Sequence, residues 1–482
     1  EVYKNSNNNE VAAITGYTGT AYALVIPEEI DGYKVEQIRY WAFRGRSDIT
    51  TVVIPDSVVE IGSSSFSECR SLSSVKLSSN LKTLGYGAFY NCDKLTSIMI
   101  PKSLEKATRA VMTDGDGPFS DCDNLKNVTF EAGTTRIAEN LFGNCKGLER
   151  IEIPNTVQSI EFRSFYKCGS LTDVKIGSEV TKIGDGAFED CSKLAAIMIP
   201  DSVVEIESNS FSECKSLSSV KLSSNLKTLG YGAFYNCDKL TSIMIPKSLE
   251  KATRAIMTGG DGPFSECDNL KNVTFEAGTT RIAENLFGNC KGLERIEIPD
   301  TVQSIEYRSF YKCGSLTDVK IGSEVTKIGD GAFEDCSKLA AIMIPDSVVE
   351  IESNSFSECK SLSSVKLSSN LKTLGYGAFY NCDKLTSIMI PKSLEKATRA
   401  IMTGGDGPFS ECDNLKNVTF EAGTTRIAEN LFGDCKGLEK IEIPDTVQSI
   451  ENSAFYKCGS LTDVKIGNGV TKIGDGAFED CG

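Results

Sequence analysis

Eighteen cysteines and not one histidine set the limits on what chemistry this 482-residue chain can do. A thiolate is both a nucleophile and a soft metal ligand, and two thiols can close a disulfide. From Cys69 the cysteines recur at Cys92, Cys122, Cys145, Cys168, Cys191 and Cys214, and so on to Cys481. The step is 23 residues, except for three steps of 30: Cys92 to Cys122, Cys237 to Cys267 and Cys382 to Cys412. Metal sites draw on clustered ligands such as C-x-x-C, whereas here one thiol arrives per step with no imidazole beside it, so no metal centre is expected. If successive steps stack, neighbours such as Cys168 and Cys191 would lie about 5 Å apart, close enough for a disulfide, although parallel side-chain vectors would strain it. The competing reading is a small apolar residue buried at a repeated corner, and the even spacing favours that one. Without histidine there is no Ser-His or Cys-His nucleophile and no imidazole proton shuttle. Neither catalysis nor a cofactor is expected.

A fixed period of this size marks a solenoid, in which each repeat is one coil stacked on the next. The coil that begins at Phe165 carries apolar residues at Phe165, Cys168, Leu171, Val174, Ile176, Val180 and Ile183, and the next begins at Phe188. Leu171-x-x-Val174-x-Ile176 alternates as a short strand does, and Pro or Gly follows it in most coils, as at Pro55, Pro101, Gly177 and Pro200. Val180 and Ile183 predict a second short extended piece on the opposite side. Gly184 to Cys191 then closes the coil by a tight turn or a single helical turn. Seven apolar groups cannot bury themselves alone, so stacking must set each Phe on the Phe of its neighbours. Phe43 heads the first full coil, with Arg46 in the cysteine position and Ile49 in that of leucine. Residues 1–38 are expected to form an N-terminal cap with an imperfect first coil, and 39–482 the array.

A second period overlies the first. Residues 56–200 recur as 201–345 with eight differences, at 62, 64, 70, 111, 114, 121, 155 and 162, and 346–482 form a third, partial copy. None of the eight falls on an inward position. The formal charge of −15 argues against a nucleic-acid partner, which would need a basic face. No apolar run approaches the roughly 20 residues that span a bilayer, so no membrane insertion is expected. The chain opens Glu1-Val2-Tyr3 without Met and closes at Cys481-Gly482 midway through a coil, which leads to the expectation that the natural protein continues past residue 482.

The candidate surface is the residue between the last two inward positions of each strand. It reads Lys76, Met99, Thr129, Glu152, Lys175, Met198 and Lys221, then Met244, Thr274, Glu297, Lys320, Met343, Lys366 and Met389, and on to Thr419, Glu442 and Lys465. Five of the chain's eight methionines stand in this column; the others, Met112, Met257 and Met402, lie in the long coils. Met is an adaptable contact residue, and a line of exposed apolar groups beside lysines has the character of a contact stripe. The alternative is that Met merely shields sheet backbone, or that the column faces inward. Exposed tyrosines (Tyr86, Tyr90, Tyr166 and their copies) form a weaker candidate set. The long coils carry Asp114-Gly115-Asp116-Gly117, a calcium-loop hint that the copies Gly259-Gly260-Asp261-Gly262 weaken by losing one carboxylate. Ser103–Met112 reads as helical.

The unit C-x-x-L-x-x-[VI]-x-[IL]-[PG]-x-x-V-x-x-I-x-x-x-[AS]-F, seen at Cys191–Phe211, resembles the BspA-like, treponemal-type leucine-rich repeat family, as does the opening Leu24-Val25-Ile26-Pro27. The resemblance covers residues 21–482. It implies an α/β, β-rich leucine-rich-repeat solenoid, with a parallel sheet on the concave face and short strands and single turns on the convex face. It also implies a secreted or cell-surface bacterial protein that adheres to an extracellular host or neighbouring-cell protein or glycan. A structural stalk that holds another domain off the cell envelope is the alternative from a different class.

Overall fold

The computed structural model describes residues 1–108, 116–253, 261–398 and 407–482. The chain divides into two compact units, Glu1–Leu240 and Thr241–Gly482. Each is a parallel β-solenoid built from the predicted coils.

Within a coil, a strand of three or four residues lies on one side and a two-residue strand on the other, as in Asp173–Lys175 and Lys182–Ile183. The short strands of the first unit stack in register one coil apart: Ile137 pairs with Ile160, Ile160 with Ile183 and Ile183 with Ile206. The second unit repeats this from Ile282 through Ile305 and Ile328 to Ile351. Such a register follows from the period itself, because equal coils place equal residues side by side.

The longer strands behave differently and pair mainly in twos. Ser97–Ile100 joins Asn127–Phe130, Arg150–Glu152 joins Asp173–Lys175, and Ala196–Met198 joins Ser219–Lys221. Ala23–Val25, Thr51–Val53 and Ser74–Lys76 form a set of three. At the start of the chain, Val2–Lys4 runs antiparallel to Glu10–Ile14, which in turn pairs in parallel with Tyr33–Ile38.

The core is the predicted one. Phe165, Cys168, Leu171, Val180 and Ile183 have no solvent exposure, and Val174 and Ile176 are also buried. The phenylalanine rings stack at centroid spacings of 4.8 to 5.7 Å from Phe43 to Phe234 in the first unit. From Phe264 to Phe478 in the second unit they stack at 5.1 to 5.8 Å.

Two expectations need correction. No α-helix occurs among the described residues, so the fold is a β-solenoid rather than α/β. The segment that leads through Phe to Cys, residues 162–167 in the coil of Phe165, is a run of turns because it holds two left-handed residues four apart, Arg163 at φ 50° and Lys167 at φ 55°. An α-helix tolerates neither. The helix expected over Ser103–Met112 is also absent as far as residue 108: Lys106–Ala107 is instead a strand paired with Thr83–Leu84, since the ladder offered by the previous coil outweighs local propensity. Residues 109–112 and Asp114 lie outside the described residues, as do Met257 and Met402.

Candidate functional site

The predicted outward column is outward. Met99, Met198, Met244, Met343 and Met389 are 60 to 66% exposed, and Lys76, Lys175, Lys221, Lys320 and Lys366 are exposed beside them. Their strands alternate, so Ile98 and Ile100 bury while Met99 between them faces solvent. Ladder register sets the neighbours: Met99 stands beside Thr129, Met198 beside Lys221, and Glu152 beside Lys175.

The lysines fall into two kinds. Lys175 pairs with Glu152 at 2.5 Å, Lys465 pairs with Glu442 at 2.5 Å, and Lys320 pairs with Glu297 in the same way. These partners are one coil apart and fully in water, where such pairs add little stability. Lys76, Lys221 and Lys366 form no ion pair among the described residues. This division escaped the reading of single columns, although a Glu 23 residues before a Lys is its signal.

The cysteines are free thiols, all buried except the half-exposed Cys481. Most of the thiols donate to the carbonyl oxygen of the Phe in the coil before, as Cys168 does to Phe142 at 3.1 Å, Cys191 to Phe165 at 3.2 Å and Cys214 to Phe188 at 3.2 Å, whereas Cys145, Cys290 and Cys435 are bonded to the backbone of the Gly and Leu that follow them. A small apolar side chain that carries a weak donor fits this corner better than alanine or serine would. Burial pushes the Cys168 thiol up to about 12, which removes the thiolate needed for attack or metal binding. The native protein is therefore expected to react with Ellman's reagent at Cys481 alone, and with all eighteen thiols once unfolded in guanidinium. Several fast-reacting thiols in the native state would sink this account. Among the described residues, no group of three or more Cys, Asp or Glu side chains could hold a metal ion.

In the first coil Arg46 takes the cysteine position for a reason the sequence did not reveal. Its guanidinium donates to the carbonyls of Tyr17 and Gly19, both at 2.5 Å, and grips Asp48 at 2.6 and 2.8 Å. The Tyr17 ring so held lies 5.9 Å from Phe43, at the start of the phenylalanine stack. The tyrosine set needs correction as well. Tyr166 and Tyr311 are buried (6% and 8% exposed), each beneath the guanidinium of Arg163 or Arg308 at 4.3 and 4.4 Å, and the rest are half-buried. They are covered turn residues rather than a displayed aromatic surface.

Parallel coils with a buried Phe, Cys and Leu ladder, and one short strand turned to solvent in each, define a leucine-rich-repeat array. The chain belongs to the BspA type leucine rich repeat family, whose model matches six times, over 36–146, 135–259, 182–291, 257–348, 327–404 and 397–482. A leucine-rich repeat protein from Bacteroides ovatus is similar in structure, with 26% identity and a TM-score of 0.59 over 87% of this chain and 98% of that one. A leucine rich cell surface protein from Faecalibacterium prausnitzii is 25% identical, with a TM-score of 0.30 over 96% of this chain and 92% of that one. No curated protein matches the chain. No helix among the described residues is long and apolar enough to cross a membrane.

Proposed function

We propose that this protein is a non-catalytic adhesin of the bacterial surface. In this reading it binds an extracellular host or neighbouring-cell protein or glycan through the Met and Lys column, and residues 1–38 close the array as its cap. The observation that carries the reading is the line of five methionines, each more than half exposed, held on strands whose inward faces are locked in the core. Isolated exposed apolar residues need no explanation, but repetition of one adaptable side chain on a rigid face does. The block repeat presents the same patch several times, so weak contacts can add through avidity.

The test is binding of the whole chain to immobilised matrix proteins, mucins and glycans, beside a variant with Met99, Met198, Met244, Met343 and Met389 all changed to Asp. The five sites are exposed, so the variant is expected to keep the wild-type circular dichroism spectrum. Binding should fall by at least about a hundredfold, because each carboxylate desolvates at a contact meant for an apolar group. Unchanged binding would remove the column from the site. No binding by either protein to any surface would favour the stalk instead.

A further inference from the structure

The long strands do not form one unbroken sheet, and the break has a chemical consequence. Among the described residues no ladder joins Ser74–Lys76 to Ser97–Ile100, or Ser364–Lys366 to Ser387–Ile390. At both places the sequence after the first strand runs Leu-Ser-Ser-Asn, where most coils have Pro or Gly directly after the final apolar residue. The preceding valine, Val75 or Val365, is only half-buried, where Val174 is buried. A groove opens at each break. In the first unit it is walled by Val75, Leu77, Met99 and Pro101 and encloses about 500 Å³. In the second it is walled by Val365, Leu367, Met389 and Pro391 and encloses about 490 Å³. Both fall in the size range of sites that take up a small group. The same residue types recur once more in the sequence over 201–276.

The charges around the grooves are unequal. Asp56 and Glu131 border the first, and both are already engaged. Asp56 accepts from the Ser79 backbone N–H at 2.9 Å, which holds its carboxyl below the usual carboxylate range. Glu131 accepts from the Lys102 N–H at 3.0 Å and pairs with its ammonium at 3.5 Å. The second groove repeats this with Asp346 on Ser369 and Glu421 on Lys392. Lys76 and Lys366 keep ammonium groups without an ion pair, whereas the lysines in the coils away from these grooves are neutralised by Glu152, Glu297 and Glu442. Each groove therefore joins an apolar wall to one cation that no carboxylate contacts directly, its nearest charge on the rim being Asp56 or Asp346, which it acts on without an ion pair.

We propose that each groove takes an apolar side chain from an extended peptide segment of the partner, with an adjacent carboxylate set on Lys76 or Lys366. The apolar group covers the Met and Val wall, and the carboxylate supplies the missing ion pair at a partly desolvated rim, where it counts for more than in open water. The carboxylate can belong to a neighbouring Asp or Glu, or to a chain terminus. This rests on the reading that the strand column is the binding face, and it names the chemistry that face selects.

The probes are three fluorescein-labelled peptides added to the full-length chain and followed by fluorescence polarisation. The first places phenylalanine between two aspartates and ends in an amide, the second ends in phenylalanine with a free carboxylate, and the third replaces the aspartates of the first with asparagines. At least one acidic peptide should bind about tenfold more tightly than the asparagine control, and its affinity should fall as salt rises from about 0.05 to 0.5 M. The triple variant K76E/K221E/K366E should lose that binding, whereas K182E/K327E/K472E, on the two-residue strands of the opposite side, should stay within about twofold of wild type. Equal binding of acidic and asparagine peptides overturns the proposal, and so does binding that survives K76E/K221E/K366E. If the methionine variant still abolishes adhesion while the peptides fail, the column remains the binding face and only this account of its chemistry is wrong.

Discussion

Replacing Phe188 with alanine should cost about 4 kcal/mol, as truncation of a fully buried aromatic does. Its ring has no solvent exposure and lies between Phe165 at 5.1 Å and Phe211 at 5.3 Å. The cavity left behind cannot close by collapse. The Phe188 N–H is bonded to Ser210 at 2.7 Å and the Phe165 N–H to Ala187 at 2.8 Å, which fixes the coils on both sides at their present spacing. Phe188→Leu keeps much of the volume and should recover more than half of the loss. Repeat arrays unfold segment by segment, so the measurement is amide hydrogen exchange, comparing the coils around 165–211 with those around 43–89. A local loss below about 1 kcal/mol would mean that the phenylalanine stack is not what holds neighbouring coils together.

The second large effect belongs to a residue with no side chain at all. Gly230→Ala should destabilise by about 3 kcal/mol, as overpacking against a backbone does. A Cβ at this position would sit 2.2 Å from the carbonyl carbon of Glu207 and 2.3 Å from the nitrogen of Ser208, both backbone atoms of the preceding coil. The Gly230 N–H is bonded to Ile206 at 2.7 Å, so the coils cannot part without losing that bond. Gly32 provides the control. It has φ +80° but open space around it, so alanine there should cost only the left-handed torsion, about 1 kcal/mol. Thermal melts of the two variants decide the matter: if Gly230→Ala melts no lower than Gly32→Ala, the close coil-to-coil seam is not a constraint.

Gly230 and Gly32 look alike in the sequence, one needed for space and the other for torsion, and that contrast shows where sequence reading stops. The inward positions could be read directly, because a solenoid repeats one environment and hydrophobicity alone then marks Phe165, Cys168, Leu171 and Ile183 as core. The phase of the outward column could be read for the same reason, since strand alternation forces Met99 out once Ile98 and Ile100 are in. The turns could not. Arg163 and Lys167 adopt left-handed torsions that neither residue type announces, and those torsions exclude the helix that an α/β fold requires. Nor could the grooves, which lie where Ser74–Lys76 and Ser97–Ile100 fail to pair while Ser97–Ile100 and Asn127–Phe130 succeed. Burial is set by what a side chain is, and the period copies it faithfully along the chain. Torsion sign, strand spacing and the charge left over at a rim depend on what the adjacent coil supplies, and only the folded chain brings that coil into place.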